Sequence, residues 1–328
     1  MKVLVTGNAG FIGRHVVAGL LANGHEVVGM DLRNPDSPHA GEVCLNGDLL
    51  DGAGVLKAFT DQRPEALIHL AAKTSMKTIV PGDRRFAVNI VGQKHLMDAV
   101  RECGTVKRAI YTSTKYVFRG PPPAPHRSYR PDTSYGESKA EMEELIWRHD
   151  GGGCDWAIVR PTTIWGPGMG THYRSFLEMV RTGRYVNLGS RGARKDLGYV
   201  ANVAWQYARL LELPADRIAR RVLYVGDYDA WNLHEWADAF RGAFGARKIP
   251  TIPMPLARIA GRAGDLLVRC GRRKFPFTSF RLKNLTEDDL CDMAPTQELC
   301  GPLPVSREEA VAATVRWYLD GLEKGERK

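Results

Sequence analysis

Tyr135 and Lys139 stand four residues apart in the stretch Ser134-Tyr135-Gly136-Glu137-Ser138-Lys139. Positions i and i+4 share one face of a helix. A phenol with an ordinary pKa of ~10 is too weak an acid for proton exchange near neutrality. A neighbouring ammonium and a cationic nicotinamide both favour the phenolate. A phenol tuned in this way can exchange a proton with a sugar or alcohol hydroxyl while a hydride moves. Lys139 can also hold the ribose of the cofactor. Tyr-x-x-x-Lys also occurs as an ordinary exposed helix pair, so its setting decides. Here it follows an apolar run that ends Tyr111-Thr112-Ser113-Thr114. A hydroxyl at the end of such a strand can hydrogen-bond the same reacting oxygen, because open α/β sheets bind ligands at the carboxyl ends of their strands.

A second constellation lies at the N-terminus, in Gly7-Asn8-Ala9-Gly10-Phe11-Ile12-Gly13. Gly7 allows a tight turn after the first strand. Gly10 lets backbone N–H groups approach a pyrophosphate, and Gly13 permits close helix–strand packing. The helix opening at Phe11 and Ile12 brings the positive end of its dipole to the phosphates. Asp31 ends the next apolar run, where an acid can accept from the adenosine ribose hydroxyls. An acid there repels a 2′-phosphate, which favours NAD. Arg33 lies two residues on and can partly reverse that preference, so NADP stays open.

These residues need a scaffold of alternating strands and helices. The spacing predicts strands at Lys2–Thr6, Glu26–Asp31, Val43–Asn46, Ala66–Leu70, Val106–Thr112 and Trp156–Arg160. Most are continuous apolar runs, as expected of strands buried on both faces of a parallel sheet. Helical patterns at Phe11–Ala22, Val55–Thr60, Phe86–Glu102 and Ser134–Arg148 lie between them. The alternation argues for an α/β fold, a Rossmann-type doubly wound parallel sheet. After Arg160 the repeat is lost. Helices are expected at Tyr173–Thr182, Asn202–Leu213, Leu233–Phe244 and Pro255–Val268, with strands at Asp196–Val200 and Val222–Val225. A last helix starts at Ser306, with Glu309 at capping-box spacing. The expected division is a dinucleotide-binding domain over 1–165, with returning segments around 196–230. A smaller mixed α/β substrate domain then covers most of 166–328.

Composition excludes several classes. At 328 residues and 44% apolar content the chain can bury a large core. The six cysteines are scattered without C-x-x-C spacing, so free thiols are expected rather than a metal site or disulfides. The start MKVLVTG lacks a signal-peptide pattern, and no apolar run approaches the ~20 residues of a membrane span. A cytoplasmic protein without stable membrane insertion is the expectation. The net charge of +9 is concentrated: residues 241–283 carry eleven Lys or Arg and one acid, Asp265. Such a segment suits an anionic partner, or is simply a solvated face. It lacks the interleaved aromatics of single-strand binders, Phe275, Phe277 and Phe280 aside, so a nucleic-acid partner is not expected. Pro255–Val268 is amphipathic, with Leu256, Ile259, Ala260, Ala263, Leu266 and Leu267 on one face and Arg258, Arg262 and Arg269 around it. It is expected to pack in the substrate domain rather than rest on an anionic membrane.

The chain resembles the extended short-chain dehydrogenase/reductase family, and within it the NAD-dependent nucleotide-sugar epimerases and dehydratases. The motifs that carry the resemblance are Gly7-x-x-Gly10-x-x-Gly13, Asp48-Leu49, His69-Leu70-Ala71-Ala72, Asn89, Ser113-Thr114, Tyr135-x-x-x-Lys139 and Arg160-Pro161. The resemblance implies that Asp48 and Leu49 flank the adenine and that Leu70, Ala71 and Ala72 line the cofactor. It implies that Asn89 supports that strand from the following helix and that Pro161 opens the segment touching the nicotinamide. It makes Thr114 the catalytic hydroxyl, Tyr135 the acid/base and Lys139 its partner. Lys73, Thr114, Thr163, Arg194, Lys195 and Arg281 become the candidate substrate contacts, with Arg272, Arg273 and Lys274 as further basic candidates. No metal is implied, and relatives often pair as homodimers through the helices at 86–102 and 134–148.

Four positions depart from the pattern near the site. Lys115 and Tyr116 replace the acidic pair common in dehydrating relatives, which speaks against a 4,6-dehydratase. Thr163 stands for a common Asn, and Arg119 for a usual Gly. A fifth departure, Asn202, stands for a usual Asp. The expected activity is epimerisation of a nucleoside-diphosphate sugar. A ketoreductase or dehydrogenase of a sugar nucleotide or another alcohol, such as a sterol, uses the same half-reaction. A non-catalytic dinucleotide- or nucleic-acid-binding protein is disfavoured by the presence of both Tyr135 and Lys139.

Overall fold

The computed structural model describes residues 1–74, 84–120, 125–271 and 277–324. Two compact units divide the chain. The first comprises Met1–Ile164, Gly198–Tyr228 and Cys291–Pro304; the second comprises Trp165–Leu197, Asp229–Leu290 and Val305–Lys328.

In the first unit seven strands form one sheet: β1 (Lys2–Thr6), β2 (Glu26–Asp31), β3 (Glu42–Asn46), β4 (Ala66–His69), β5 (Arg108–Thr112), β6 (Asp155–Pro161) and β7 (Arg221–Val225). Their order is β7-β6-β5-β4-β1-β2-β3, and every pairing is parallel. This is the doubly wound Rossmann-type sheet. Its helices are α1 (Phe11–Ala22), α2 (Gly52–Gln62), α3 (Ala87–Cys103), α4 (Ser134–Arg148), α6 (Val200–Glu212), the short α7 (Ala215–Ile218) and α11 (Ala294–Cys300). Alternate strand residues feed two cores. Val3, Val5, Ile68, Ile110 and Val159 pack with Val16 and Leu20 of α1 and with Val203 and Tyr207 of α6. Leu4, Leu67, Ala109 and Ile158 pack with Phe59 of α2, with Leu96 and Met97 of α3 and with Met142 of α4. The sheet order reverses between β1 and β4, and the carboxyl ends of such neighbours form the ligand crevice of an open α/β sheet.

The second unit contains α5 (Thr171–Arg181), α8 (Leu233–Ala243), α9 (Met254–Arg269), α10 (Ser279–Thr286) and α12 (Arg307–Glu323). Its core is aromatic. Phe176 stacks on Trp236 at 4.5 Å, and Trp165 and Phe240 meet them edge-on. Arg194–Lys195 pairs antiparallel with Trp231–Asn232, and Asn187–Leu188 pairs parallel with Thr251–Ile252. Ser306 and Glu309 form the full reciprocal capping box at the start of α12.

One expectation fails here. The large apolar residues of α9 are not packed: Leu256, Ile259 and Leu266 are 57, 64 and 61% exposed. The helix buries only Ala257, Gly261 and Gly264, its small-residue face. Gly261 lies against α10, where an added Cβ would come within 3.3 Å of the Ser279 nitrogen.

Candidate active site

The glycine turn has little room for side chains. Gly7 adopts φ +77°, and a Cβ there would meet the Ala71 nitrogen at 2.6 Å. A Cβ on Gly13 would lie 2.0 Å from the Gly7 carbonyl oxygen. Gly10 is the N-cap of α1 and offers no side-chain cap to the first N–H groups of the helix, which includes Phe11, Ile12 and Gly13. The backbone of the turn therefore faces the mouth between β1 and β4, where Leu70, Ala71 and Ala72 follow β4. That close, side-chain-free cradle fits a dinucleotide pyrophosphate.

A polar network fixes this cradle from below. Asn8, 1% exposed, donates from Nδ2 to Glu42 Oε1 at 2.6 Å. Arg14 Nη1 donates to Glu42 Oε2 at 3.0 Å, as does the His39 backbone N–H. Burial pushes the Glu42 carboxyl up, but the bonds from Asn8, His39 and Arg14 outweigh it and hold the pKa below the ordinary value. Arg14 is thereby paired, not offered to a 2′-phosphate. Asp31 ends β2, and its Oδ1 accepts from the Leu32 N–H at 2.7 Å; Arg33 is exposed. Asp48 is exposed beside a cavity of about 360 Å³ lined by Met30, Gly47, Asp51 and Lys57. Leu49 is 4% exposed and sits in the second core, so its side chain serves packing.

Tyr135 and Lys139 both lie on the inner face of α4, which is capped by Thr133 Oγ1 accepting from the Gly136 N–H at 3.1 Å. Burial pushes the Tyr135 phenol up to about 12; a hydrogen bond with Thr114 opposes that, and nearby Tyr116 adds to it. Lys139 is 1% exposed, and burial pushes its ammonium down to about 7 against the opposing pull of Glu143. Its Nζ donates to the Thr112 carbonyl at 2.7 Å, the last residue of β5. The structure thus gathers Thr114, Tyr135 and Lys139 at the carboxyl end of β5. In this state the phenol is neutral, and an ammonium together with a cationic ring would draw it toward phenolate.

Asn89 is fully buried, and its amide is consumed. Oδ1 accepts from the Lys73 N–H at 2.8 Å, and Nδ2 donates to the Lys73 carbonyl at 3.1 Å and to Ser138 Oγ at 2.9 Å. Ser138 Oγ in turn donates to the Tyr135 carbonyl at 2.8 Å. Asn89 therefore ties the post-β4 segment to α4 and touches no ligand position with a spare group. Lys73 is exposed and held by its backbone. His69 shares a 2.7 Å bond with Thr6, and burial, then the Lys139 charge, keep its imidazole neutral.

Sequence reasoning named Ser113 and Arg160 only as parts of motifs and missed Thr162 and Glu143. Ser113 Oγ and Thr162 Oγ1 are buried at the ends of neighbouring β5 and β6 with no hydrogen-bond partner among the described residues. Orphan hydroxyls at adjacent strand ends are the place for polar ligand atoms. Pro161 ends β6 beside them. Arg160, the other half of that motif, is structural: it grips buried Glu143 of α4 at 2.9 and 2.6 Å. The departures from the family pattern are connected. The Arg119 guanidinium stacks 5.7 Å from the Tyr116 ring and pairs with Asp132 at 2.9 Å. Tyr116 OH lies 3.5 Å from Thr163 Oγ1, and Lys115 Nζ sits 5.6 Å from the same ring. Lys115, Tyr116, Arg119 and Thr163 thus form one patch beside Thr114. At the fifth departure, Asn202 Nδ2 donates to Asp227 at 3.0 Å, so the acid is supplied from the other side of the pair.

The remaining candidates lie in the second unit. Arg194 is exposed, while Lys195 is largely buried with its Nζ 3.9 Å from Asp289. Arg281 is exposed in the first turn of α10. Arg272, Arg273 and Lys274 lie outside the described residues.

The chain is similar to known proteins over most of its length. The profile of the NAD dependent epimerase/dehydratase family matches residues 3–226. A UDP-glucose 4-epimerase of Mycolicibacterium smegmatis is 31% identical over 81% of this chain and 88% of its own. A 3-beta-hydroxysteroid dehydrogenase of Mycolicibacterium neoaurum is 30% identical over 80% of this chain and 73% of its own. The crystal structure of Thermus thermophilus UDP-glucose 4-epimerase in complex with NAD superposes with a TM-score of 0.72 at 26% identity, covering 97% of this chain and 99% of that one.

Proposed function

The chain belongs to the NAD dependent epimerase/dehydratase family, and from that premise we propose that it epimerises a nucleoside-diphosphate sugar at one carbinol carbon. The observation that carries the chemistry is the buried Thr114–Tyr135–Lys139 group at the carboxyl end of β5. When bound, NAD would supply the two-electron hydride acceptor and donor for the carbinol carbon. Tyr135 takes the hydroxyl proton as the carbonyl forms and returns it when the carbinol is restored. Thr114 holds the same oxygen and orients the phenol. Lys139 lowers the cost of the phenolate and grips the cofactor ribose. Gly7, Gly10 and Gly13 carry the pyrophosphate, Asp31 the adenosine ribose, and Ser113 and Thr162 offer their orphan hydroxyls at the nicotinamide end. Lys115, Tyr116 and Thr163 shape the sugar pocket, and Arg194, Lys195 and Arg281 are the candidate cations for the diphosphate. A homodimer paired through α3 and α4 belongs to the same reading.

A net dehydrogenase or ketoreductase is the second reading, favoured by the similarity to the hydroxysteroid dehydrogenase. The test is to incubate the purified protein with UDP-glucose and other UDP-hexoses without added nucleotide, and to resolve the products by chromatography. Epimerisation yields a stereoisomer at many turnovers with no accumulated NADH. Turnover that occurs only with added NAD or NADH, matched by equal loss of that nucleotide, replaces epimerisation with the second reading.

A further inference from the structure

The apolar face of α9 finds no partner within its unit, although the helix is among the most amphipathic stretches of the chain. At about 100° per residue, Leu256, Ile259, Ala260, Ala263, Leu266 and Leu267 occupy roughly a 120° arc. The small residues Ala257, Gly261 and Gly264 lie on another side and pack against α10. The arc is thus turned away from the hairpin that α9 and α10 make. Phe280 on α10 is 60% exposed, and Leu285 and Val268 are also exposed. Six of the thirteen exposed large hydrophobics among the described residues fall between residues 256 and 285. That concentration sets this face apart from scattered surface apolar residues.

Charge says what kind of surface covers it. Arg258, Arg262 and Arg269 line one flank of the arc and are exposed. The described residues of 254–285 hold five Lys or Arg and one acid, Asp265. That acid is already engaged, accepting from the Ser279 N–H at 3.1 Å. A second copy of the same face would set arginines against arginines, which opposes self-pairing. An anionic lipid surface complements both features, with acyl chains for the arc and phosphates for the arginines. No helix among the described residues is long and apolar enough to cross a membrane, and an amphipathic helix needs only to settle ~5–10 Å into the headgroup boundary.

We propose that the α9–α10 hairpin docks on the surface of an anionic phospholipid bilayer. This goes beyond the reading of the active site and does not depend on it. The test uses the full purified chain and vesicles of phosphatidylcholine with and without phosphatidylglycerol, separated by flotation. Binding to the phosphatidylglycerol vesicles is expected, weakening as salt rises. Ile259→Asp with Leu266→Asp changes two exposed positions and is expected to lower the partition coefficient at least tenfold. Arg258→Glu and Arg262→Glu are each expected to lower it about fivefold or more, since one basic residue near such a surface is worth about that factor. Far-UV circular dichroism and retained nucleotide report that the variants stay folded. Three results overturn the proposal: no vesicle binding by the parent chain, equal binding to neutral vesicles, or binding untouched by the Asp pair. Self-association that the Asp pair abolishes, without vesicle binding, would assign the face to a second copy instead.

Discussion

Replacing Lys139 by Met should stabilise the nucleotide-free protein near neutral pH while removing its activity. Lys139 is wholly buried, and burial pushes its ammonium down from the ordinary 10.5 to about 7 in the folded chain. The folded state therefore binds that proton less tightly than the unfolded state. The cost is complete below about pH 7, where both states are protonated, and it disappears above about pH 10.5, where neither is. Stability of the parent chain rises with pH across that window. At about 1.4 kcal/mol per pKa unit, the cost is about 4 kcal/mol at pH 7 and about 1 kcal/mol at pH 9.5. Met relieves it but forfeits the bond to the Thr112 carbonyl, a loss of about 1–3 kcal/mol that does not vary with pH. The variant should thus gain about 1–3 kcal/mol at pH 7, and that gain should fall by about 3 kcal/mol, to zero or below, by pH 9.5. Thermal unfolding of stripped parent and variant at both pH values reads the difference directly. A stability difference that stays constant between the two pH values would refute the assignment of Lys139 as a buried ammonium.

Three further outcomes follow from the same structure. Tyr135→Phe should lower kcat about 10²–10⁴-fold, as loss of an acid/base group does, with bound nucleotide retained; steady-state rates and nucleotide content check both parts. Gly13→Ala places a methyl 2.0 Å from the Gly7 oxygen and should empty the nucleotide site, seen as protein purified without NAD. Glu143→Gln leaves the buried Arg160 guanidinium without its ion partner and should destabilise the fold by about 3–5 kcal/mol, measured by urea unfolding.

The part of the fold that carries catalysis was legible because its signals are local and continuous. β1, β2, α1 and α4 run over the residues that the apolar runs and helical spacing predict. Each buries a long stripe, so periodicity and burial agree. The short α10 and α11 escaped because eight and seven residues hold too few turns for a period to show. The glycine turn and the Tyr135–Lys139 pair were visible through spacing alone. The Asn8–Glu42–Arg14 network and the Glu143–Arg160 grip were not, because they join residues far apart in sequence through side chains whose types also suit a solvated surface. α9 shows the opposite error. Its strong amphipathic pattern reads as a buried stripe, yet periodicity reports only that one face is apolar, not what covers it.

The most direct test of the epimerase account is to denature the purified protein, separate the released nucleotide and count it. The account predicts close to one NAD(H) per chain, held through purification because each catalytic cycle restores it. Protein that releases no nucleotide, or releases NADP(H), would contradict retained NAD and move the chemistry to net oxidation or reduction with exchanging cofactor.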